Sequence, residues 1–187
     1  MKLHNKYYIM RHGQAVSNVK NIVSCWPEKF KNPLTSLGRE KVEESAKKII
    51  GKNIDLIFSS DLLRTKQTAE IVGKFLGIKP IFDKRLREQN SGVFNGESFQ
   101  NLKHFFGERG LRRFKIKPQK GETYIDIKKR MVNFLKSTDK KYRSKNILIV
   151  SHGKPIDLLE AAVRGISNKD FYNNRIYISV AEVQKLN

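Results

Sequence analysis

The chain has 187 residues, 38 Lys/Arg against 18 Asp/Glu, a formal net charge of +20 at pH 7 and 39% apolar residues. That length and apolar content suit one domain, 1–187, with a substantial core, since no Pro/Ser-rich linker, internal repeat or low-complexity tract divides it. The lone cysteine, Cys25, excludes an internal disulfide and a zinc cluster, and the four-residue apolar run near the N-terminus is too short for a signal or membrane segment, so a cytoplasmic protein without membrane association is expected.

In chain order, Tyr7-Tyr8-Ile9-Met10 reads as a buried strand that stops at Arg11-His12-Gly13. A helix near 35–50 follows, then a strand near 54–59. Asp61 is placed to cap a helix near 62–76 that ends at Gly77. Pro80-Ile81-Phe82 reads as a short strand, and the loop after it carries Arg85, Arg87 and Glu88. Residues 97–120 form a helical insertion expected to cover the mouth of a site. A helix near 122–137, a strand near 146–150 stopping at Ser151-His152-Gly153, and a helix near 155–164 with Pro155 in its first turn come next. Ile176-Tyr177-Ile178-Ser179-Val180 has the β-branched character of one more strand. This alternation implies an α/β fold, a three-layer α/β/α sandwich around a mostly parallel sheet.

In such sheets ligands collect outside the carboxyl ends of the strands, and there the sequence delivers His12, His152, Arg11, Arg64 and Glu88. Guanidinium groups match phosphate oxygens and keep their charge, which suits Arg11 and Arg64 to holding a phosphoryl group. A neutral imidazole with one nitrogen bonded to a carbonyl can use the other as a nucleophile, and nearby arginines favour that neutral form. A carboxylic acid in the same place can protonate a leaving oxygen. Arg64, in a first helical turn, opposes the helix dipole and is better explained by an anionic ligand.

The ordered series Arg11-His12-Gly13-Gln14 with Asn18, Leu34-Thr35-x-x-Gly38, Ser59-Ser60-Asp61-Leu62-x-Arg64-Thr65-x-Gln67-Thr68-Ala69, Leu86-Arg87-Glu88 with Gly92 and Gly96, Gly121-Glu122-Thr123 and Val150-Ser151-His152-Gly153 resembles the histidine phosphatase superfamily, the phosphoglycerate-mutase-like branch 1, from about residue 7 to about residue 180. The resemblance implies that His12 becomes phosphohistidine and that Glu88 donates and accepts the proton. It implies a phosphate pocket of Arg11, Asn18, Arg64, His152 and Gly153, with Ser24 and Cys25 in a substrate-contacting loop. It also implies that the C-terminal strand lies antiparallel at a sheet edge. Ala15, Cys25 and the pair Lys41-Val42 depart from the family pattern without removing a reacting group.

Glu97 and Glu122 are alternatives to Glu88, although Glu122 also reads as a helix start. His4 and His104 have no partner pattern and read as surface residues, and Cys25 reads as a loop residue without a redox role, open to modification if exposed. The expected function is hydrolysis of small phosphorylated metabolites without metal or cofactor. The alternatives are a mutase that uses 2,3-bisphosphoglycerate and a non-catalytic basic module that holds phosphate or nucleic acid. Asn18, Ser24 and Arg112-Arg113 resemble the mutases. A short cover, Phe99 where their lysine falls, no tryptophan before the arginine pair, and Lys154 after His152-Gly153 favour the phosphatase. A homodimer is compatible with this reading. Segment 100–145 holds 15 Lys/Arg and 4 Asp/Glu, which reads first as a solubilising surface and second as a field that steers anionic substrates. Nucleic-acid binding ranks last, because no stacking series of aromatics accompanies the charge.

Overall fold

The structure is a computed structural model that describes residues 1–107, 110–174 and 177–187. Five strands, β1 (Lys6–Arg11), β2 (Leu56–Ser59), β3 (Ile81–Phe82), β4 (Asn146–Ser151) and β5 (Val183–Lys185), form one sheet in the order β3-β2-β4-β1-β5. All neighbours are parallel except β1 and β5. The helices are α1 (Val16–Lys20), α2 (Ser36–Ile49), α3 (Leu63–Leu76), α4 (Phe99–Phe106), α5 (Tyr124–Lys141) and α6 (Gly153–Val163).

Alternation along each strand sends side chains to two separate cores. Tyr7 and Ile9 of β1, Phe58 of β2 and Ile147 and Ile149 of β4 pack with Ile127, Met131 and Phe134 of α5 and Ile156 and Leu159 of α6. Met10, Ile57, Leu148 and Val150 face the other way, onto Val42, Ala46 and Ile49 of α2 and Ala69 and Val72 of α3. The helices that follow β1 and β2 thus cover one face, and those that precede and follow β4 cover the other. The connections leaving β1 and β4, which are neighbours, go to opposite faces, so the crevice at their carboxyl ends is a topological switch point.

Two expectations from the sequence need correction. The C-terminal strand is antiparallel and at an edge, but it is Val183–Lys185, not 176–180: residues 177–179 are irregular, 180–181 turn with Ala181 at φ 61°, and Ile176 lies outside the described residues. β-branched residues at 176–180 carry strand propensity, yet it is 183–185 that pair in register with Tyr8, Ile9 and Met10 of β1, and tertiary pairing decides. Asp61 does not cap α3. The N-cap is Leu62, without a side-chain bond, because both Asp61 oxygens take the Arg87 guanidinium at 2.6 and 2.5 Å. In the 97–120 segment, α4 and a 3₁₀ turn at Leu111–Phe114 are helical and irregular chain joins them to α5.

Candidate active site

The site begins with the register of two strands. Arg11 pairs with Ser151 at the ends of β1 and β4, so the next residue on each is a histidine, and the two rings lie 5.2 Å apart, edge to face. The His12 N–H continues the ladder onto Ser151 O at 3.0 Å. Both imidazoles are buried, His12 at 3% and His152 at 0% exposure.

The loop after β1 is locked by contacts that only glycine allows. A Cβ on Gly13 would lie 2.6 Å from Gly38 O, and one on Gly38 2.1 Å from Gln14 O. Thr35, the N-cap of α2, accepts from Gly38 N at 2.9 Å and donates to Gln14 Oε1 at 2.8 Å. Thr68 accepts the Gly13 N–H at 3.1 Å and donates to Arg64 O at 2.7 Å. Gln67 accepts from Leu34 N at 2.8 Å. The Leu34-Thr35-x-x-Gly38 and Gln67-Thr68 motifs are therefore the frame that fixes His12 and Arg64.

The hydrogen bonds of His12 define its tautomer. Nδ1 lies 2.7 Å from Gly13 O, which can only accept, and Nε2 receives the Arg64 Nε–H at 3.2 Å, which can only donate. Nδ1 thus carries the proton and Nε2 presents a lone pair. Burial, then the charges of Arg64 and Arg11, hold His12 well below the usual histidine pKa, so the ring is neutral. The same forces, burial first and then Arg64, hold His152 low. Its Nε2 meets Ser60 Oγ at 3.0 Å, while Nδ1 is buried without a hydrogen-bond partner among the described residues, as is Nε of Arg11. Polar atoms left so in a buried place ask for an explanation, and a ligand supplies one.

Arg64 is 2% exposed. It donates to Ser24 Oγ and O at 3.4 and 3.0 Å and lies 3.6 Å from Glu28. Arg11 crosses Gly153, where a Cβ would meet its Nε at 3.4 Å, and donates to Tyr177 Oη and Ile178 O at 3.1 and 3.2 Å. Above this floor opens a cleft of about 530 Å³, its walls including Arg11, Asn18, Ser24, Glu88, Gly153 and Lys154, with Lys103 and Arg113 from the 97–120 segment.

Among the three carboxylates weighed from the sequence, Glu88 lines the cleft. Glu97 is exposed and bonds to Asn101, and Glu122 is paired with Arg130 at 3.0 Å. Asn18 stands at the rim, its Oδ1 capping Ala15 N at 2.8 Å. Cys25 is a loop residue, fully buried; its sulfur accepts the Ser91 N–H at 3.3 Å, and burial raises its thiol to a pKa of about 11. It is closed to modification and lies outside the cleft wall. Arg85 and Arg87, on the loop that carries Glu88, are paired with Asp83 and Asp61. His4 and His104 are both exposed, as read, and His4 also bonds to the buried Asp139 at 2.9 Å. Sequence reasoning missed Asp157, buried on the cleft wall and bonded to Lys154 at 3.1 Å; no motif marks it. It also missed Arg130, paired with Glu122, and Trp26, whose indole donates to Glu88 O at 3.2 Å. Ser60 and Thr68 stood inside a motif whose spacing was legible, but their partners were not.

A family model described as the histidine phosphatase superfamily (branch 1) matches residues 7–187. The chain is 30% identical over 165 residues to "Probable phosphoglycerate mutase GpmB" of Escherichia fergusonii, covering 85% of this chain and 74% of that protein. It is 28% identical over 172 residues to "Putative phosphoserine phosphatase 2" of Hydrogenobacter thermophilus, covering 90% and 83%. Among solved structures, YhfR of Bacillus stearothermophilus superposes with a TM-score of 0.84 at 25% identity, over 96% of this chain and 89% of that one. A mycobacterial glucosyl-3-phosphoglycerate phosphatase shares the fold, with a TM-score of 0.82 at 24% identity over 96% and 90%.

Proposed function

Because the chain belongs to branch 1 of the histidine phosphatase superfamily, we propose that it hydrolyses small phosphomonoesters through a phosphohistidine on His12, without a metal ion. The observation that carries this reading is the state of His12, a buried neutral imidazole with Nδ1–H fixed on a carbonyl and the Nε2 lone pair against a guanidinium. The guanidinium charges of Arg11 and Arg64 at one floor repel a metal cation and attract phosphate.

In the first step Nε2 attacks phosphorus, the N–P bond forms and the ester P–O bond breaks. Protonated Glu88 gives its proton to the departing oxygen. Arg64 exchanges its bond to Nε2 for bonds to phosphoryl oxygens, joined by Arg11, Asn18, Ser24 and the Gly153 amide. With the Ser60 hydroxyl donating to His152 Nε2, the Nδ1–H of His152 is left as a donor to the phosphoryl group. In the second step water attacks phosphorus, the Glu88 carboxylate takes the water's proton, the N–P bond breaks and inorganic phosphate leaves. His12 returns to its neutral tautomer. Donors aligned in a buried site stabilise the charge that gathers on the phosphoryl oxygens.

Rapid quenching with a phosphomonoester, followed by intact-mass and peptide analysis, tests this reading. An acid-labile, base-stable phosphoryl adduct on His12 is expected, His12→Ala abolishes adduct and turnover, and excess chelator leaves the rate unchanged. Wild-type turnover by His12→Ala would sink the mechanism, and a rate lost in chelator and restored by magnesium would sink its metal independence.

Identity with a protein named as a phosphoglycerate mutase favours a second reading, in which the phosphoryl group returns to another oxygen of a retained substrate and 2,3-bisphosphoglycerate is required. Supplying 3-phosphoglycerate with a trace of 2,3-bisphosphoglycerate separates the two. Phosphate release without isomerisation is expected; 2-phosphoglycerate far outrunning phosphate would establish the mutase.

A further inference from the structure

Glu88 sits on a loop that no sheet ladder holds, between the 3₁₀ turn at Lys84–Leu86 and another at Gly92–Phe94. What fixes that loop is a set of hydrogen bonds from α5 and its N-terminal approach. Arg130 of α5 donates NH1 to Arg85 O at 2.8 Å and NH2 to Glu88 O at 3.1 Å. Its guanidinium is in turn gripped by Glu122, through Nε at 3.0 Å and NH2 at 3.1 Å. The same Glu122 carboxylate accepts the Asn90 N–H at 2.9 Å, and Glu122 O accepts from Gln89 Nε2 at 3.2 Å. From the other side the indole of Trp26 donates to Glu88 O at 3.2 Å. Two donors thus converge on the Glu88 carbonyl, and the residues either side of the acid are tied to one ion pair whose two side chains are each 16% exposed.

Resting on the reading of Glu88 as the acid and base, we propose that Arg130, clamped by Glu122, is a positioning residue that sets the reach of the Glu88 carboxyl to the leaving oxygen. The direction of a side chain follows its backbone, and here the backbone hangs on a planar fork that bridges two carbonyls and a carboxylate at once. A lysine delivers the charge without the fork. Misplacement of an acid by about 1 Å costs on the order of 100-fold in the step it serves. The loss must depend on how much the leaving group needs a proton. An alkoxide needs it; a nitrophenolate hardly does.

The test compares kcat/KM, which reports the phosphorylation step, for an alkyl phosphate such as glycerol phosphate and for 4-nitrophenyl phosphate, in the wild type, Arg130→Gln, Arg130→Lys and Glu88→Gln. Arg130→Gln is expected to lose on the order of 30-fold on the alkyl ester and under about threefold on the nitrophenyl ester, with Arg130→Lys between it and the wild type. Binding of inorganic phosphate, followed by the fluorescence of Trp26, the only tryptophan, should be unchanged. Should Arg130→Gln fail to fold, Arg130→Lys carries the same comparison. Equal losses on both esters, or none on either, would overturn the positioning role. If Glu88→Gln itself shows no dependence on the leaving group, the assignment of the acid fails, and the inference with it. A dependence in Glu88→Gln that is absent from both Arg130 variants removes the inference alone.

Discussion

Arg64 Nε–H points at the Nε2 lone pair of His12 from 3.2 Å, inside a floor where both side chains are almost wholly buried. A cation and a neutral ring hold one another there, and the arrangement is stable only while the ring stays neutral. Stability and reactivity therefore share one proton.

The first prediction follows from that proton. His12 and His152 are held well below the ordinary histidine pKa by burial first and by Arg64 second. Above about 6.5 both rings are neutral in the folded and unfolded chain, and their contribution to stability is complete. As the pH falls through that value the unfolded chain takes up protons that the native one refuses, so stability falls, by up to about 1.4 kcal/mol per pH unit for each ring. Urea midpoints measured from pH 7.5 to pH 5 should show this slope, and His12→Gln and His152→Gln should each reduce it. Identical slopes in all three proteins would remove the claim that these rings are kept neutral.

Replacement of Arg64 by lysine is expected to be severe. The guanidinium reaches His12 and both oxygens of Ser24, which an ammonium on a flexible stem does not do together. Arg64→Lys should lower kcat/KM on the order of 100-fold or more, the loss typical of removing one preorganised donor. A change within a few-fold would show that Arg64 serves the fold more than the phosphoryl group.

Gly38→Ala should reverse the usual sign of a helix substitution. In an ordinary helix interior the change stabilises by about 1 kcal/mol. Here the new methyl would meet Gln14 O, a backbone atom that cannot swing aside, at 2.1 Å. A loss of about 1–3 kcal/mol is expected, as for other overpacked sites, together with slower turnover, because Gly13 and its carbonyl must move. Thermal unfolding that shows the Gly38→Ala variant equal to or above the wild type would refute the close approach.

Salt tests the charge of the 97–120 segment and of the first turn of α6. Lys103, Arg113 and Lys154 face the cleft. If their field steers anionic substrates, kcat/KM should fall as ionic strength rises past the point where the screening length is about 8 Å, and kcat should change less. A flat kcat/KM would return these charges to a role in solubility.

Whatever depended on short-range pattern was determined by the sequence itself. Apolar runs that stop at Arg11-His12-Gly13 and Ser151-His152-Gly153 define strands with reactive ends, because period and burial are local properties. The alternation with helices then restricts the sheet to a parallel layered form. Thr35 and Gly38 were legible as members of a motif waiting for partners. Long-range contact decided the rest. The C-terminal strand lies at 183–185 because that is where the free edge of β1 meets the chain, whatever the propensity of the residues before it. Asp61 left its helix for Arg87, since a bidentate ion pair outweighs a cap. Cys25 turned inward, and Arg130, anonymous among 38 basic residues in the sequence, became the brace of Glu88. A hydrogen bond between residues 42 positions apart leaves no periodic trace in the chain; it exists only once α5 has packed against the sheet.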